Sequence, residues 1–278
     1  MTDTSPPLAG VVGWPIHHSR SPMLHAYWLK KYALTGYYVP IGLKPQDFEN
    51  GIRALPKLGF KGVNLTIPYK ETILPLLDNV TDRAALIGAV NMVTFRDNGS
   101  IIGDNTDGYG FIQNLKQSQP DWKANAGPAL VLGAGGAARA IVSALLSEGV
   151  PEIRISNRTK QRCEVFREQF GGRITITDWN STADAMKEAA TIVNTTSLGM
   201  VGKPENSISL DTAPANALVT DIVYTPLETD FLARARKREL TTVDGLGMLL
   251  HQAVPAFEHW FDIRPEVDPD LREIVLSA

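Results

Sequence analysis

Two groups of residues in this chain have the types and spacing that chemistry needs. The first is Gly133-Ala134-Gly135-Gly136-Ala137-Ala138, which fits G-x-G-x-x-A after a short apolar run, Ala129–Leu132, and before a helical pattern. In that setting Gly133 permits a tight turn, Gly135 lets backbone approach a pyrophosphate, and Ala138 allows close helix–sheet packing. The helix start also offers free N–H groups and positive dipole to phosphates. About 20 residues on, an NAD-binding turn would be followed by an acid that holds the ribose diol. Here that region reads Ser156-Asn157-Arg158-Thr159, with Lys160 and Arg162 beyond, and has no carboxylate. A guanidinium fork at Arg158 and a hydroxyl at Thr159 suit a 2′-phosphate, so NADP is expected rather than NAD. The plainer alternative is a tight β–α turn followed by a solvated basic helix start.

The second group is polar: Ser19-Arg20-Ser21, Asn64-Leu65-Thr66-Ile67-Pro68-Tyr69-Lys70 and Asn105-Thr106-Asp107-Gly108. Each stands where an element is expected to end, which is where open α/β sheets bind ligands. Such hydroxyls and amides suit a polyhydroxylated substrate. Taken singly, Ser21 reads equally as a helix cap, Asn91 as a turn residue and Asp107 as a loop carboxylate capping a helix. Lys70 alone reads as a surface lysine. A cationic lysine placed near a developing alkoxide would donate a proton and stabilise charge. His17, His18, His25, His251 and His259 show no metal-ligand spacing, so no metal is expected.

The elements that must position these groups are legible in outline. Leu8–Val12 reads as a strand and Ser21–Tyr32 as a helix with Pro22 in its first turn. Val63, Leu65 and Ile67 alternate with Asn64 and Thr66, a strand with one apolar and one polar face. A helix over Tyr69–Leu77 follows, and Asn98-Gly99 predicts a hairpin joining Ala89–Phe95 to Ser100–Gly103. From Ala129 onward strands alternate with helices, as in parallel βαβ units. Strands are expected near Ala129–Leu132, Ile153–Ser156, Ile174–Thr177, Thr191–Asn194, Leu218–Val223 and Leu240–Val243. Helices are expected over Ala137–Glu148 and Lys160–Phe170. Gln117–Pro128 reads as a linker. The chain closes with a helix over Leu246–Phe261, kinked by Pro255 near His251.

Composition excludes other classes. The chain has 278 residues, 44% of them hydrophobic and 21% charged, with a net charge of −3. That balance argues against long disorder and against a nucleic-acid or anionic-lipid partner. The lone cysteine, Cys163, rules out an intrachain disulfide framework and is expected to pack in the helix after Asn157. Met1–Gly10 lacks the basic start of a signal peptide, and Ala129–Leu146 is too interrupted to span a membrane, so a cytoplasmic, soluble protein is expected.

Several motifs now combine. Gly13-Trp14-Pro15-Ile16-His17-His18-Ser19-Arg20-Ser21-Pro22, the N-x-T-x-P-x-K run of Asn64–Lys70, Gly88-Ala89-Val90-Asn91 and Gly103–Gly108 come first. The glycine turn, Asn157-Arg158-Thr159, Asn194–Met200 and Gly245–Gln252 follow. In type and order they resemble the shikimate dehydrogenase family over nearly the whole chain. The resemblance implies an α/β protein of two domains. One is an α/β substrate-binding domain of residues 1–107 plus 245–278; the other is a Rossmann-type, doubly wound NADP-binding domain of residues 108–244. It implies NADPH-dependent, reversible reduction of 3-dehydroshikimate to shikimate, a step toward aromatic amino acids. Lys70 matches the catalytic lysine, working beside Asp107. Ser19 and Ser21 match ligands for the substrate carboxylate, Thr66, Asn91, Asp107 and Gln252 ligands for its ring hydroxyls, and Tyr224 a further substrate contact. Asp82, Ile222 and Gly245 match positions lining the cofactor site, and Ile222 stands where relatives often have methionine. Ala26 and Met92 depart from the family pattern and bear on fine substrate positioning. The expected partner is a small molecule, in a monomer or homodimer. The alternatives are a quinate or broad-specificity dehydrogenase and, from another class, a non-catalytic dinucleotide sensor.

Overall fold

The computed structural model describes residues 5–277; residues 1–4, which begin the stretch read above for a leader, and residue 278 lie outside them. Internal contacts divide the chain into two units, one running to Thr106 and resuming at Gln252, the other covering Asp107–His251.

The first unit begins with β1 (Leu8–Gly13), α1 (Ser21–Lys31), β2 (Tyr37–Gly42), α2 (Phe48–Ala54), β3 (Phe60–Leu65) and α3 (Tyr69–Thr72). It continues with β4 (Asn79–Val80), α4 (Asp82–Ile87), β5 (Met92–Phe95) and β6 (Ile101–Asp104). The sheet order is β2-β1-β3-β5-β6-β4. β1, β2 and β3 run parallel, β5 runs antiparallel to both β3 and β6, and β4 parallels β6. The expected hairpin is therefore β5–β6. The expected helix Tyr69–Leu77 is shorter: α3 stops at Thr72 and a 3₁₀ turn over Leu74–Leu76 follows. Pro75 has no N–H to continue the α pattern. Ile67 is not on the apolar face either; it is 77% exposed, because β3 ends at Leu65.

The second unit holds α5 (Asp107–Ser118), β7 (Ala129–Leu132), α6 (Gly136–Ser147), β8 (Ile153–Ser156), α7 (Gln161–Phe170), β9 (Ile174–Thr177) and α8 (Thr182–Met186). Then come β10 (Thr191–Asn194), β11 (Leu218–Asp221), α9 (Asp230–Lys237), β12 (Thr241–Val243) and α10 (Leu246–Gln252). Its sheet is wholly parallel, in the order β12-β11-β10-β7-β8-β9, the doubly wound arrangement expected. Leu130, Leu132 and Ile192 face one buried layer, while Val131, Val193 and Ile155 face another. Gln117–Pro128 is not a linker between units. It lies inside this one, with Trp122 packed on the core and its indole N–H donating to Thr191 Oγ1 at 3.1 Å.

α11 (Val254–Phe261) and α12 (Pro269–Leu276) return to the first unit. The expected long terminal helix is thus broken at Ala253, two residues before Pro255. Asp107 and residues 245–251, expected with the first unit, group with the second. For residues 245–251, Asn114 on α5 accounts for this locally, donating to the Asp244 carbonyl at 2.7 Å just before α10. α11 covers β3 with Phe257 and Trp260, and α12 lies on α1, where Tyr27 and Lys31 reach Asp268 at 2.8 and 2.6 Å.

Candidate active site

Strand direction gathers the polar segments of the first unit. β1, β3, β4 and β6 end at the same edge of the sheet, and β5 begins there. Ser19 and Ser21 follow β1, Thr66–Lys70 follow β3, Asp82 follows β4, Asn91 precedes β5, and Asn105-Thr106 follow β6. Lys70 sits in the single turn of α3. Its neighbour Tyr69 is buried and stacked on Phe48 at 4.0 Å, which anchors the turn and leaves Lys70 half-buried. The Lys70 carbonyl accepts from Val90 N–H at 2.7 Å, tying this turn to the segment that carries Asn91.

Asn91 is the centre of a buried polar network. Its Oδ1 accepts from Thr106 N–H at 2.8 Å and lies 3.1 Å from Thr106 Oγ1. Its Nδ2 donates to Gln252 Oε1 at 3.3 Å. The amide orientation is thereby set, oxygen toward Thr106 and nitrogen toward Gln252. Thr106 Oγ1 also donates to the Gln252 carbonyl at 2.8 Å, which holds the returning chain to this edge. On the other side, Asn64 Nδ2 donates to the Asn91 carbonyl at 3.0 Å, Tyr38 O–H donates to Asn64 Oδ1 at 2.8 Å, and Ser21 is hydrogen-bonded to the Tyr38 hydroxyl. Burial pushes the Tyr38 hydroxyl well above the usual phenol range, so it is a neutral donor here. Ser21, Asn91 and Gln252 thus belong to one connected set. Ser19 is half-buried, its Oγ 3.4 Å from Ser21 N–H, and Thr66 is held by its N–H to the Val12 carbonyl at 3.0 Å. Tyr38, which joins the set, carries no motif signal of its own. Thr106 lies within a motif but without a role of its own, and Asn64 shows in sequence as the polar face of β3.

Asp107, adjacent in sequence to Thr106, is buried and opens α5 of the second unit. In sequence Asp107 reads as a loop carboxylate capping a helix; the helix is present, with Asp107 as its first residue and Gly108 where α5 meets α6. The packing there is close: a Cβ at Gly108 would stand 2.7 Å from the Ala140 carbonyl and 2.9 Å from the Ala144 methyl on α6.

In the second unit the strand ends carry the cofactor residues. Gly133 has φ +110°, and a Cβ there would lie 2.6 Å from Thr195 Oγ1, so only glycine fits between the β7 and β10 loops. Above Gly135 a Cβ would meet nothing within 4 Å, and no side chain caps α6. That is open room above uncapped N–H groups, the shape a pyrophosphate needs. Ala134, Gly136 and Ala137 complete the turn. After β8, Asn157 Nδ2 donates to the Thr159 carbonyl at 2.9 Å, and Arg158, Thr159, Lys160 and Arg162 are exposed along the same loop and helix start. Lys160 is paired with Asp178 at 2.9 Å, which holds its ammonium above the usual range. At the far end, a cavity of about 320 Å³ is lined by Thr195, Thr196, Met200, Ile222 and Tyr224. Gly245 packs there, where a Cβ would come 2.4 Å from the Ile222 carbonyl. These residues fit an NADP molecule laid across the crevice where the strand order reverses. Two expected assignments divide differently between units: Asp82, assigned to cofactor, is exposed at the start of α4 in the first, and Tyr224, assigned to substrate, lies in the second.

Comparison with known proteins agrees in each part of the chain. Residues 11–93 match the family model for the "Shikimate dehydrogenase substrate binding domain", residues 115–246 that for "Shikimate / quinate 5-dehydrogenase", and residues 245–274 that for "Shikimate 5'-dehydrogenase C-terminal domain". A curated protein of Paracoccus denitrificans, "Shikimate dehydrogenase (NADP(+))", is 55% identical over 100% of both chains. Among solved structures, a shikimate 5-dehydrogenase of Thermus thermophilus in complex with NADP(H) and shikimate is 35% identical. It covers 98% of this chain and 99% of its own, with a TM-score of 0.86. A quinate dehydrogenase of Corynebacterium glutamicum in complex with NAD is 30% identical over 98% of this chain and 99% of its own, with a TM-score of 0.89.

Proposed function

The chain belongs to the shikimate dehydrogenase family, and from that premise we propose that it is an NADP-dependent oxidoreductase interconverting 3-dehydroshikimate and shikimate. The observation that carries this is the Asn91 network beside the Lys70 turn, because it presents oriented amides and hydroxyls next to a proton donor. NADPH, when bound, supplies the hydride. Lys70 donates the proton to the alkoxide oxygen as it forms, and takes it back in the oxidation direction. Asp107 orients Lys70 and one ring hydroxyl. Ser19 and Ser21 bind the substrate carboxylate, while Thr66, Asn91 and Gln252 bind ring hydroxyls. Tyr224 is a further substrate contact.

For the cofactor, Gly133–Ala137 hold the pyrophosphate, Asn157–Lys160 and Arg162 surround the adenosine 2′-phosphate, and Asp82, Ile222 and Gly245 flank the nicotinamide end. The relative named for NADP and shikimate is 55% identical and the quinate dehydrogenase 30%, which favours shikimate over the quinate alternative. Lys70 and Asp107 are both present, which disfavours a non-catalytic sensor. We also propose a cytoplasmic enzyme acting as a monomer or homodimer. No helix among the described residues is long and apolar enough to cross a membrane. Cys163 is buried, its thiol pushed up to about 11 by burial.

The test is turnover of shikimate and quinate with NADP⁺ and NAD⁺, followed by cofactor absorbance. Shikimate with NADP⁺ should give the highest kcat/KM. An equal or higher value for quinate, or no turnover with any pair, would overturn the reading.

A further inference from the structure

β8 and β9 pair in parallel with Ser156 opposite Thr177, so the residues two beyond each strand end emerge side by side. They are Arg158 and Trp179. The Arg158 guanidinium lies over the Trp179 indole, 5.9 Å from the ring centre. Trp179 is half-buried and packs against the core that contains Leu130, Ile192 and Phe231, whereas Arg158 is exposed. The neighbouring Asp178 takes Lys160 at 2.9 Å, while Arg158 has no carboxylate partner among the described residues. One cation of the loop is therefore already answered by an acid, and the other is held only by a ring face.

That difference has a chemical consequence. An exposed arginine loses rotamer freedom when it binds a phosphate. Lying over a rigid indole removes part of that freedom beforehand. A ring offers no oxygen to compete for the guanidinium N–H donors, which stay available for oxyanions. We infer that Trp179 is a positioning residue for cofactor choice: it props Arg158 so that its donor edge meets the adenosine 2′-phosphate of NADP. The inference rests on the reading of Arg158 as the group that binds this phosphate. NAD has a hydroxyl there, so Trp179 should matter little to NAD.

The experiment is calorimetric binding of NADP⁺ and NAD⁺ to the substrate-free, full-length protein. It compares the wild type with Trp179→Leu, Trp179→Met, Trp179→Phe, Arg158→Gln and the double variant Arg158→Gln/Trp179→Leu. Each variant's fold is checked by a thermal melt. Trp179→Leu and Trp179→Met should weaken NADP⁺ about two- to fivefold, the size of an exposed cation–π contact, with NAD⁺ unchanged. Trp179→Phe, which restores a ring face, should recover most of the loss. The double variant should bind NADP⁺ no more weakly than Arg158→Gln, because the two act through one contact. Methionine, unbranched and more adaptable than leucine at about the same volume, keeps the test alive if leucine unfolds the loop. Equal weakening of both cofactors would mark Trp179 as merely structural, and an unchanged NADP⁺-to-NAD⁺ ratio would remove its role; either overturns the inference. If Arg158→Gln itself leaves that ratio unchanged, the underlying reading of Arg158 fails instead.

Discussion

Lys70 and Ser19 both face polar substrate atoms in the proposed reaction, and their loss should have different kinetic signatures. The proton from Lys70 matters most as the alkoxide forms, so Lys70→Ala should lower kcat by about 10²–10⁴ with a smaller change in KM. Ser19 contacts a carboxylate present in ground and transition states alike, so Ser19→Ala should raise KM with kcat less changed. Steady-state kinetics on folded variants checks the pair, and near-normal kcat in Lys70→Ala would send the search to another donor. His25 is a residue of another kind. It is fully buried, stacked on Tyr38 at 3.7 Å, and neither ring nitrogen has a hydrogen-bond partner. Burial lowers its pKa from 6.5 to about 3. Between those values the unfolded chain binds a proton that the folded one refuses, so stability is present above pH 6.5 and is lost on acidification. The slope approaches about 1.4 kcal/mol per pH unit. His25→Phe should flatten that acid limb in denaturant titrations, and an unchanged limb would show that His25 is not its source.

At the scale of elements, the turn after β7 is where local conformation and packing make the same demand. Gly133 needs both a left-handed φ and the absence of a Cβ beside Thr195. Gly133→Ala should therefore destabilise the protein by about 1–3 kcal/mol and weaken NADP⁺ binding at least tenfold, read by melting and calorimetry. This turn is legible in the sequence because its strand, glycines and helix are contiguous. The strands β7–β12 are legible too, as short runs rich in apolar residues. The extent of α5 is not, since Gly108 serves a close approach to α6 that only the folded unit reveals. α3 is overextended in the sequence reading because the Tyr69–Leu77 pattern looks helical until Pro75 interrupts it. Of the site, Lys70, Asn91 and Ser21 announce themselves through motifs. Tyr38 does not, because a tyrosine on an edge strand looks the same whether its hydroxyl meets water or Asn64.

Across the whole molecule, the boundaries are the least legible feature. The expected division places α10 with the first unit, as part of one continuous terminal helix. The break at Ala253 leaves Leu246–His251 with the second unit, held through Asn114 and Asp244. Helical periodicity runs through Pro255 unbroken, so pattern alone does not locate the change of partner. The discontinuity of the first unit also reaches into how the protein is made. Residues leave a ribosome in order, and when His251 has emerged the second unit is complete while the first still lacks α11 and α12. Trp28 then has neither the Phe257 ring, 5.2 Å away in the finished fold, nor the Glu266 carbonyl that accepts from its indole N–H at 2.9 Å. The part synthesised first must finish folding last, its aromatic face uncovered throughout the synthesis of the other. A nascent chain arrested after His251 should yield a protease-resistant fragment from Asp107 onward and a digested N-terminal part. Equal resistance of both would show that the first unit folds without its final helices.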